Sequence, residues 1–379
     1  MRETERSRLK QLIAWTPPQG VLSAYFEIER GDRSGGWRVA LRDRLDELRE
    51  PDDREGRLAL RETARRVLER FDPQSEPPPG RAQVGFVEVA RKPGTEDWSS
   101  LQIPPRDTVV AHAPRPLLRP LIDLLERGHA RPVLAISAER IRGWIWNRGR
   151  LDPEPAWEDE LGIYPGHERK APSMADPARG QATSSSGRDQ FGQRLEENRK
   201  RFLHEAAKRL GSDERVRGGE LIAIGEPPYL EEFAAAVPST VQVWRLEGPD
   251  VIGEKDSAIA DRVAPEIERD AAKREADLTK AALDASMASG GRGAQGPGET
   301  SEALAEGRVE HLLLDCERRF SLEELSRPAR EAASHDGRLD GAELMIELAL
   351  RTSAEVTPIG EGAAETLREH GGVAALLRY

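Results

Sequence analysis

The chain has 379 residues and a formal net charge of −11, with 37% hydrophobic and 33% charged residues. This length suits two or three domains, and the negative charge argues against a simple nucleic-acid-binding protein, which normally carries a basic excess. The single cysteine excludes an internal disulfide and a cysteine-based zinc site. The start does not read as a signal peptide and the chain holds no long apolar run, so we expect a cytoplasmic protein.

Residues 1–127 are predicted to form an N-terminal α/β domain. Apolar and β-branched runs predict strands at 20–29, 82–90 and 107–114. Apolar residues at helical spacing predict two helices between the first two strands. A run with proline in its first turn predicts a third helix, which ends the domain.

A middle domain is predicted over residues 128–253. Strands at 133–137 and 142–147 are expected to form a hairpin, with Trp144 and Trp146 on one face. Packing in a core or between domains is the interpretation of these two side chains, with base stacking as the alternative. The loop at 167–190 is rich in glycine, serine and proline, and loops of this length inside a domain are functional or disordered. A helix with an apolar stripe and a basic opposite side follows it, and two more strands complete the domain.

Residues 254–379 are predicted to begin with a long polar helix and to continue as a third α/β domain. A glycine-rich stretch near 289–301 is interpreted as a flexible connector. Ser321 with Glu324, and Asp340 with Glu343, each fit a helix capping box. At the end, Gly371-Gly372 predicts a turn that leads into a short buried strand, Val373–Leu377.

Few residues suggest chemistry that needs a cofactor. Residues 291–296 match the glycine spacing of a dinucleotide-binding loop, but they follow a helix, whereas that loop must follow a strand. The seven histidines show no metal-binding spacing, and Cys316 is interpreted as a core residue. We therefore predict no metal and no organic cofactor.

Charge is unevenly distributed along the chain. Between Arg106 and Arg150, nine arginines stand against four acidic residues. This surplus is interpreted as a solvated surface, with a local RNA-binding surface as the alternative.

The order of segments in the last third resembles the final domain of the archaeo-eukaryotic class-1 release factor and Pelota superfamily. It runs from GRVEHLLLD through a helix over AELMIELAL to GGVAALLRY. The similarity is greatest to the bacterial branch and extends over most of the chain, from the opening VLSAYFEIE onward. It implies a variable N-terminal domain, an RNase H-like middle domain and an L7Ae-like C-terminal domain.

The resemblance also implies a site in the loop at 167–190. In that family a Gly-Gly-Gln tip enters the peptidyl-transferase centre and promotes attack of water on peptidyl-tRNA. Arg179-Gly180-Gln181 lies at the matching place, which makes Gly180 and Gln181 the catalytic candidates, although Arg179 replaces the first glycine. An alternative alignment places the tip at residues 187–190. RNA phosphates are the expected partners of basic residues here and on the following helix: Arg179, Arg188, Arg194, Arg199, Lys200 and Arg201.

The resulting hypothesis is a monomeric, ribosome-associated protein that binds the A site in rescue, recycling or hibernation. Its partners would be ribosomal RNA and peptidyl-tRNA, and the resemblance leaves open a translational GTPase. The loop either assists ester hydrolysis or only contacts RNA, and the replaced glycine favours contact alone. A small-molecule α/β enzyme or a protein-interaction adaptor unrelated to translation is the alternative.

Overall fold

A computed structural model of the chain describes residues 3–28, 35–71, 78, 80–147, 149–161, 184–217, 219–288, 291–332 and 340–379, with the backbone alone for 3–4, 184–192 and 361. The chain divides into two compact units. The first comprises Met1–His129 with Ala264–Tyr379, and the second is Ala130–Val263. Helices accompany three separate sheets, so the predicted α/β class is confirmed.

In chain order, the strands are β1 Val21–Glu27, β2 Ala82–Glu88, β3 Glu96–Leu101, β4 Val109–Ala113, β5 Arg131–Ile136, β6 Arg140–Asn147, β7 Arg150–Pro153, β8 Asp159–Glu160, β9 Glu220–Gly225, β10 Gln242–Glu247, β11 Gly293–Gln295, β12 Val309–Asp315, β13 Glu355–Ile359 and β14 Val373–Leu377. The helices are α1 Glu3–Ala14, α2 Gly36–Asp46, α3 Arg54–Arg70, α4 Arg119–Arg127, α5 Ser184–Gly211, α6 Pro227–Ala236, α7 Asp256–Met287, α8 Pro297–Ala305, α9 Arg327–Ala332, α10 Gly341–Arg351 and α11 Glu361–Glu369.

The first sheet has the antiparallel order β3-β2-β1-β4. Side chains alternate between the two faces of a strand, and both faces of β1 are buried. On one face Leu22 and Phe26 contact the apolar stripes of α2 and α3, which include Trp37 and Leu60. The opposite face, with Tyr25, belongs to a core that includes residues of the C-terminal sheet. One hydrophobic core therefore joins the first sheet to the C-terminal sheet within the first unit.

The C-terminal sheet has the order β11-β14-β12-β13, in which β12 and β13 are parallel and β14 is antiparallel to both of its neighbours. The predicted strand Val373–Leu377 is present and lies inside the sheet. Gly293–Gln295, interpreted from sequence as part of a connector, instead forms the edge strand β11. Helix α10 is buried at every position from Gly341 to Leu350, because it packs within the core of this unit.

Buried carboxylates join the two sheets of the first unit. Both oxygens of Glu343 accept backbone hydrogen bonds at the start of α4, from Leu118 N at 2.7 Å and Arg119 N at 2.9 Å. The predicted capping box at Asp340 is thus only half formed: Asp340 accepts from Ala342 N, while Glu343 caps a helix distant in sequence. Burial raises the pKa of Glu343 above its ordinary value. Helix α4 is consequently held by the C-terminal segment.

Two arginines, Arg115 and Arg106, make further ionic contacts within the first unit. Arg115 Nη1 lies 2.6 Å from Glu347 Oε2, and both side chains are almost fully buried. Glu347 Oε2 accepts no hydrogen bond from a described residue, so this contact is an ion pair. Arg106 binds Asp123 and Glu275, each at 3.0 Å, and the other oxygen of Glu275 accepts from the backbone N–H of residue 360.

The second unit is built on a six-stranded sheet with the path β10-β9-β5-β6-β7 and β8 paired to β6. One face packs against α5 and α6 through Phe202, Leu203 and Phe233. Trp144 and Trp146 lie two residues apart on one face of β6 and are 0% and 3% exposed, so the predicted packing of these side chains is confirmed.

Gly372 offers a test of the turn that precedes β14. Its φ is +71°, and an added Cβ would lie 2.4 Å from Arg318 Cδ. We expect Gly372→Ala to lower the free energy of unfolding by about 1–2 kcal/mol, because a side chain disfavours left-handed backbone. Urea denaturation would measure the change. Gly362→Ala is the control, since a Cβ there meets nothing within 4 Å and alanine favours a helix. Equal effects of both changes would contradict the prediction.

Candidate nucleic-acid interface

The site predicted from sequence lies partly outside the described residues. Arg179, Gly180 and Gln181 fall within residues 162–183, which the structure does not describe. Arg188 lies in α5, where only the backbone is described. The catalytic assignment of Gly180 and Gln181 therefore stays a prediction, and the described part of the site is helix α5.

Helix α5 is positioned by its apolar stripe. Phe202, Ala206 and Leu210 recur at helical spacing, and all three are buried in the core of the second unit. Ser212 Oγ donates to the carbonyl of Lys208 near the helix end. Packing of the stripe against the sheet directs the basic residues away from the core.

Two of the predicted basic residues form ion pairs. Arg199 Nη2 donates to Glu139 Oε1 at 2.8 Å and lies 3.5 Å from Glu196, and the Glu139 carboxylate raises the pKa of Arg199. Lys200 Nζ is 3.6 Å from Glu232 on α6. Arg199, with its side chain 23% exposed, therefore anchors α5 to its own unit, whereas the Lys200 side chain is 56% exposed and its longer contact contributes little.

Arg194 and Arg201 are exposed, as is Lys200, but unlike Lys200 they form no ion pair with a described residue. Arg201 Nη2 donates to Asn198 Oδ1 at 3.0 Å, and Arg194 forms no ion pair with a described residue. Guanidinium groups bind phosphate oxygens in a bidentate manner, so these two side chains are suited to contact an RNA backbone. The structure thus separates the described basic residues of this face into two that are paired with a carboxylate, Arg199 and Lys200, and two that are not.

The basic surplus between Arg106 and Arg150 is not an open basic patch. Arginines from this stretch are paired with acidic residues in both units. The eight described members and their partners are Arg106–Asp123, Arg115–Glu347, Arg119–Asp340, Arg127–Asp123, Arg131–Glu220, Arg140–Glu160, Arg142–Asp256 and Arg150–Asp152. Interpreting the stretch as a solvated surface was wrong for several of them, because Arg115 and Arg131 have side chains only 5% exposed.

Sequence inspection missed a second polar cluster near α5. Asp213 accepts hydrogen bonds from Trp157 Nε1 at 2.9 Å and from Arg215 Nη2 at 2.8 Å. These bonds lower the pKa of Asp213 below its usual value. Arg215 also pairs with Glu154 and lies over the Trp157 ring at 4.7 Å. The cluster stabilises the turn after α5, and nothing in its sequence spacing signals it.

Two kinds of chemical centre, a metal site and an activated cysteine, are not found among the described residues. Within them, no group of three His, Cys, Asp or Glu side chains is arranged to hold a metal ion. Burial raises the pKa of the Cys316 thiol to about 12, so this thiol is not activated as a nucleophile. No described helix is long and apolar enough to cross a membrane.

No protein-family model matches the chain, and no curated protein sequence does. Solved structures do match. An archaeal translation termination factor is 19% identical over 100% of this chain and 99% of its own, with a TM-score of 0.25. Pelota from Archaeoglobus fulgidus is 18% identical over 79% of each chain, with a TM-score of 0.36. A model of ribosome-bound archaeal Pelota and ABCE1 is 14% identical over 99% of this chain and 94% of its own, with a TM-score of 0.37. At TM-scores this low, the similarities carry no argument about activity.

Proposed function

We propose that this chain is a ribosome-associated protein of the release-factor and Pelota type, which binds the A site in ribosome rescue, recycling or hibernation. The observation that supports it is the C-terminal sheet. Gly371 and Gly372, both with positive φ, lead into β14, which lies between β11 and β12. This is the segment through which the sequence resembles that superfamily.

The second unit supplies the surface that this role needs. A factor in the A site must contact RNA phosphates while its overall charge stays negative. Arg194 and Arg201 provide exposed guanidinium groups on α5, the helix that follows the segment with residues 179–181. We propose ribosomal RNA and transfer RNA as the partners of this helix.

We further propose that the protein occupies the site without releasing the peptide. Arg179 stands where the family motif has glycine, and a glycine that needs positive φ cannot be replaced without strain. The loop would then contact RNA, and water attack on the ester would not be promoted.

Co-sedimentation with ribosomes through a sucrose gradient tests both statements. Vacant, peptidyl-tRNA-loaded and stationary-phase ribosomes are compared, and fractions that contain loaded ribosomes are assayed for free peptide. We expect binding without release. Release that disappears in Gln181→Ala would instead identify a hydrolase. Absence of binding to every kind of ribosome would remove the functional proposal and leave only a fold.

A further inference from the structure

Helix α7 has an exposed face along the half that belongs to the first unit. On its opposite side, Ala282 and Leu283 are buried and pack with Leu313 of β12. The exposed face carries alternating alanines and charged residues: Ala272, Lys273, Ala276, Asp277, Lys280, Ala281 and Asp284. All of them lie within Ala264–Tyr379, which is part of the first unit. The order of the charges decides whether such a face suits another protein surface.

The four charged residues of this face form no ion pair with a described residue. Lys273 precedes Asp277 by four residues, and the next couple of the face repeats this order. A base before an acid is the weaker order for an i,i+4 pair on a helix. Earlier in α7 the acid comes first, and there Asp270 and Arg274 do form an ion pair. The charges of the exposed face are therefore not neutralised within the described chain.

The charge pattern of this face is complementary to itself when it is read in the opposite direction. The signs run plus, minus, plus, minus, with spacings of four, three and four residues. A two-fold axis at the centre of 273–284 places Lys273 opposite Asp284 of a second copy. The same axis places Asp277 opposite Lys280. Each contact occurs twice in such a symmetric pair, so four pairs of opposite charge are brought together.

The alanines of this face allow a second helix to approach closely. The same two-fold axis places Ala276 opposite Ala281, and Ala272 opposite Ala285. The distance between packed helices depends on the side chains at the contact and is about 8 Å when these are small. Met287, which is 64% exposed at the end of this face, adds apolar surface that a partner can cover. Shape and charge therefore both fit a second copy of α7.

We propose that this chain forms a two-fold symmetric dimer through the exposed face of α7, with the two helices antiparallel. A parallel pair in register would place like charges together, so the pattern selects the antiparallel one. The contact extends over about four helical turns, which is the size of a weak interface that bury less than about 1,200 Å² in total. The dimer therefore dissociates on dilution, and its formation does not depend on ribosome binding.

Sedimentation equilibrium of the full chain over a series of concentrations tests the proposal. We expect a reversible monomer–dimer equilibrium that shifts toward monomer at high salt, because exposed charges are screened. Lys273→Glu/Lys280→Glu makes the face wholly acidic and should weaken association about tenfold or more, since all four contacts become repulsive. Asp277→Lys/Asp284→Lys makes the face wholly basic and should weaken association for the same reason.

A mixture of these two variants is the decisive measurement. The acidic face of one and the basic face of the other bring opposite charges together at every contact, so we expect a heterodimer at least as stable as the wild-type dimer. The control is Lys10→Glu/Lys92→Glu, which changes two exposed lysines elsewhere in the first unit and should leave association nearly unchanged. Circular dichroism verifies that each variant keeps its fold.

Three results would overturn the proposal. The first is a wild-type chain that stays monomeric at every concentration. The second is a control variant that weakens association as much as the acidic variant does, since general charge repulsion would then explain the effect. The third is a mixture of folded acidic and basic variants that does not associate, because complementary charge on α7 would then not be what joins the two copies.

Discussion

Replacing Arg115 with methionine is expected to lower the free energy of unfolding of the first unit by about 3–5 kcal/mol, the usual cost of removing one partner from a buried ion pair. Glu347, with a side chain 6% exposed, would keep its charge beside an apolar group. Its remaining cationic neighbour, Arg351, is 3.8 Å from Oε1 and has a side chain 53% exposed. That contact is too exposed to replace the lost one.

The double variant Arg115→Met/Glu347→Leu separates charge burial from loss of packing. Removing both charges leaves no uncompensated carboxylate, so we expect most of the lost stability to return. Unfolding in urea is monitored by hydrogen exchange of peptides from α10, so that the measured free energy is that of the first unit alone. Arg351→Met is the control and should change stability by less than about 1 kcal/mol. A double variant as unstable as Arg115→Met would show that shape, and not charge, is what the pair provides.

The sequence pattern alone was sufficient to predict those helices and strands whose apolar residues recur with the period of the element itself. The strand Val373–Leu377 has the bounds that its apolar run predicts, and the stripe through Phe202 and Leu210 is buried. Strands that form because a neighbouring strand supplies their hydrogen bonds were not predicted from the sequence. Glu96–Leu101 contains two acidic residues and two serines, and it forms a strand because β2 supplies its hydrogen bonds. Gly293–Gln295 forms a strand through β14 in the same way.

The availability of basic residues could be predicted only where no acidic residue from a distant part of the sequence pairs with them. Arg115 and Arg142 belong to the basic stretch counted from sequence, yet their partners Glu347 and Asp256 come from remote segments. Glu343 fits a capping box locally but caps α4 instead. A charge count along the chain cannot detect such neutralisation, because the acids arrive through tertiary packing. Gly180 and Gln181 were identified from the family motif alone, which does not depend on tertiary packing. Their role stays a prediction.

Reversing the charge of Arg194 and Arg201 together is expected to weaken ribosome binding about tenfold or more. These residues are exposed and form no ion pair with a described residue, whereas Arg199 and Lys200 are paired with Glu139 and Glu232. Each lost phosphate contact should also reduce the slope of log affinity against log salt by about one. Co-sedimentation of Arg194→Glu/Arg201→Glu over a series of salt concentrations would measure both effects.

The control for this variant must change the net charge equally. Arg44→Glu/Arg327→Glu alters two exposed arginines of the first unit, each paired with a nearby glutamate, and should leave the salt slope unchanged. Equal weakening by both double variants would indicate only a general effect of charge on association. Wild-type affinity and slope in Arg194→Glu/Arg201→Glu would exclude this face of α5 as the contact.

Because Arg199→Gln breaks an anchoring pair, we expect it to lower the stability of the second unit more than its affinity for ribosomes.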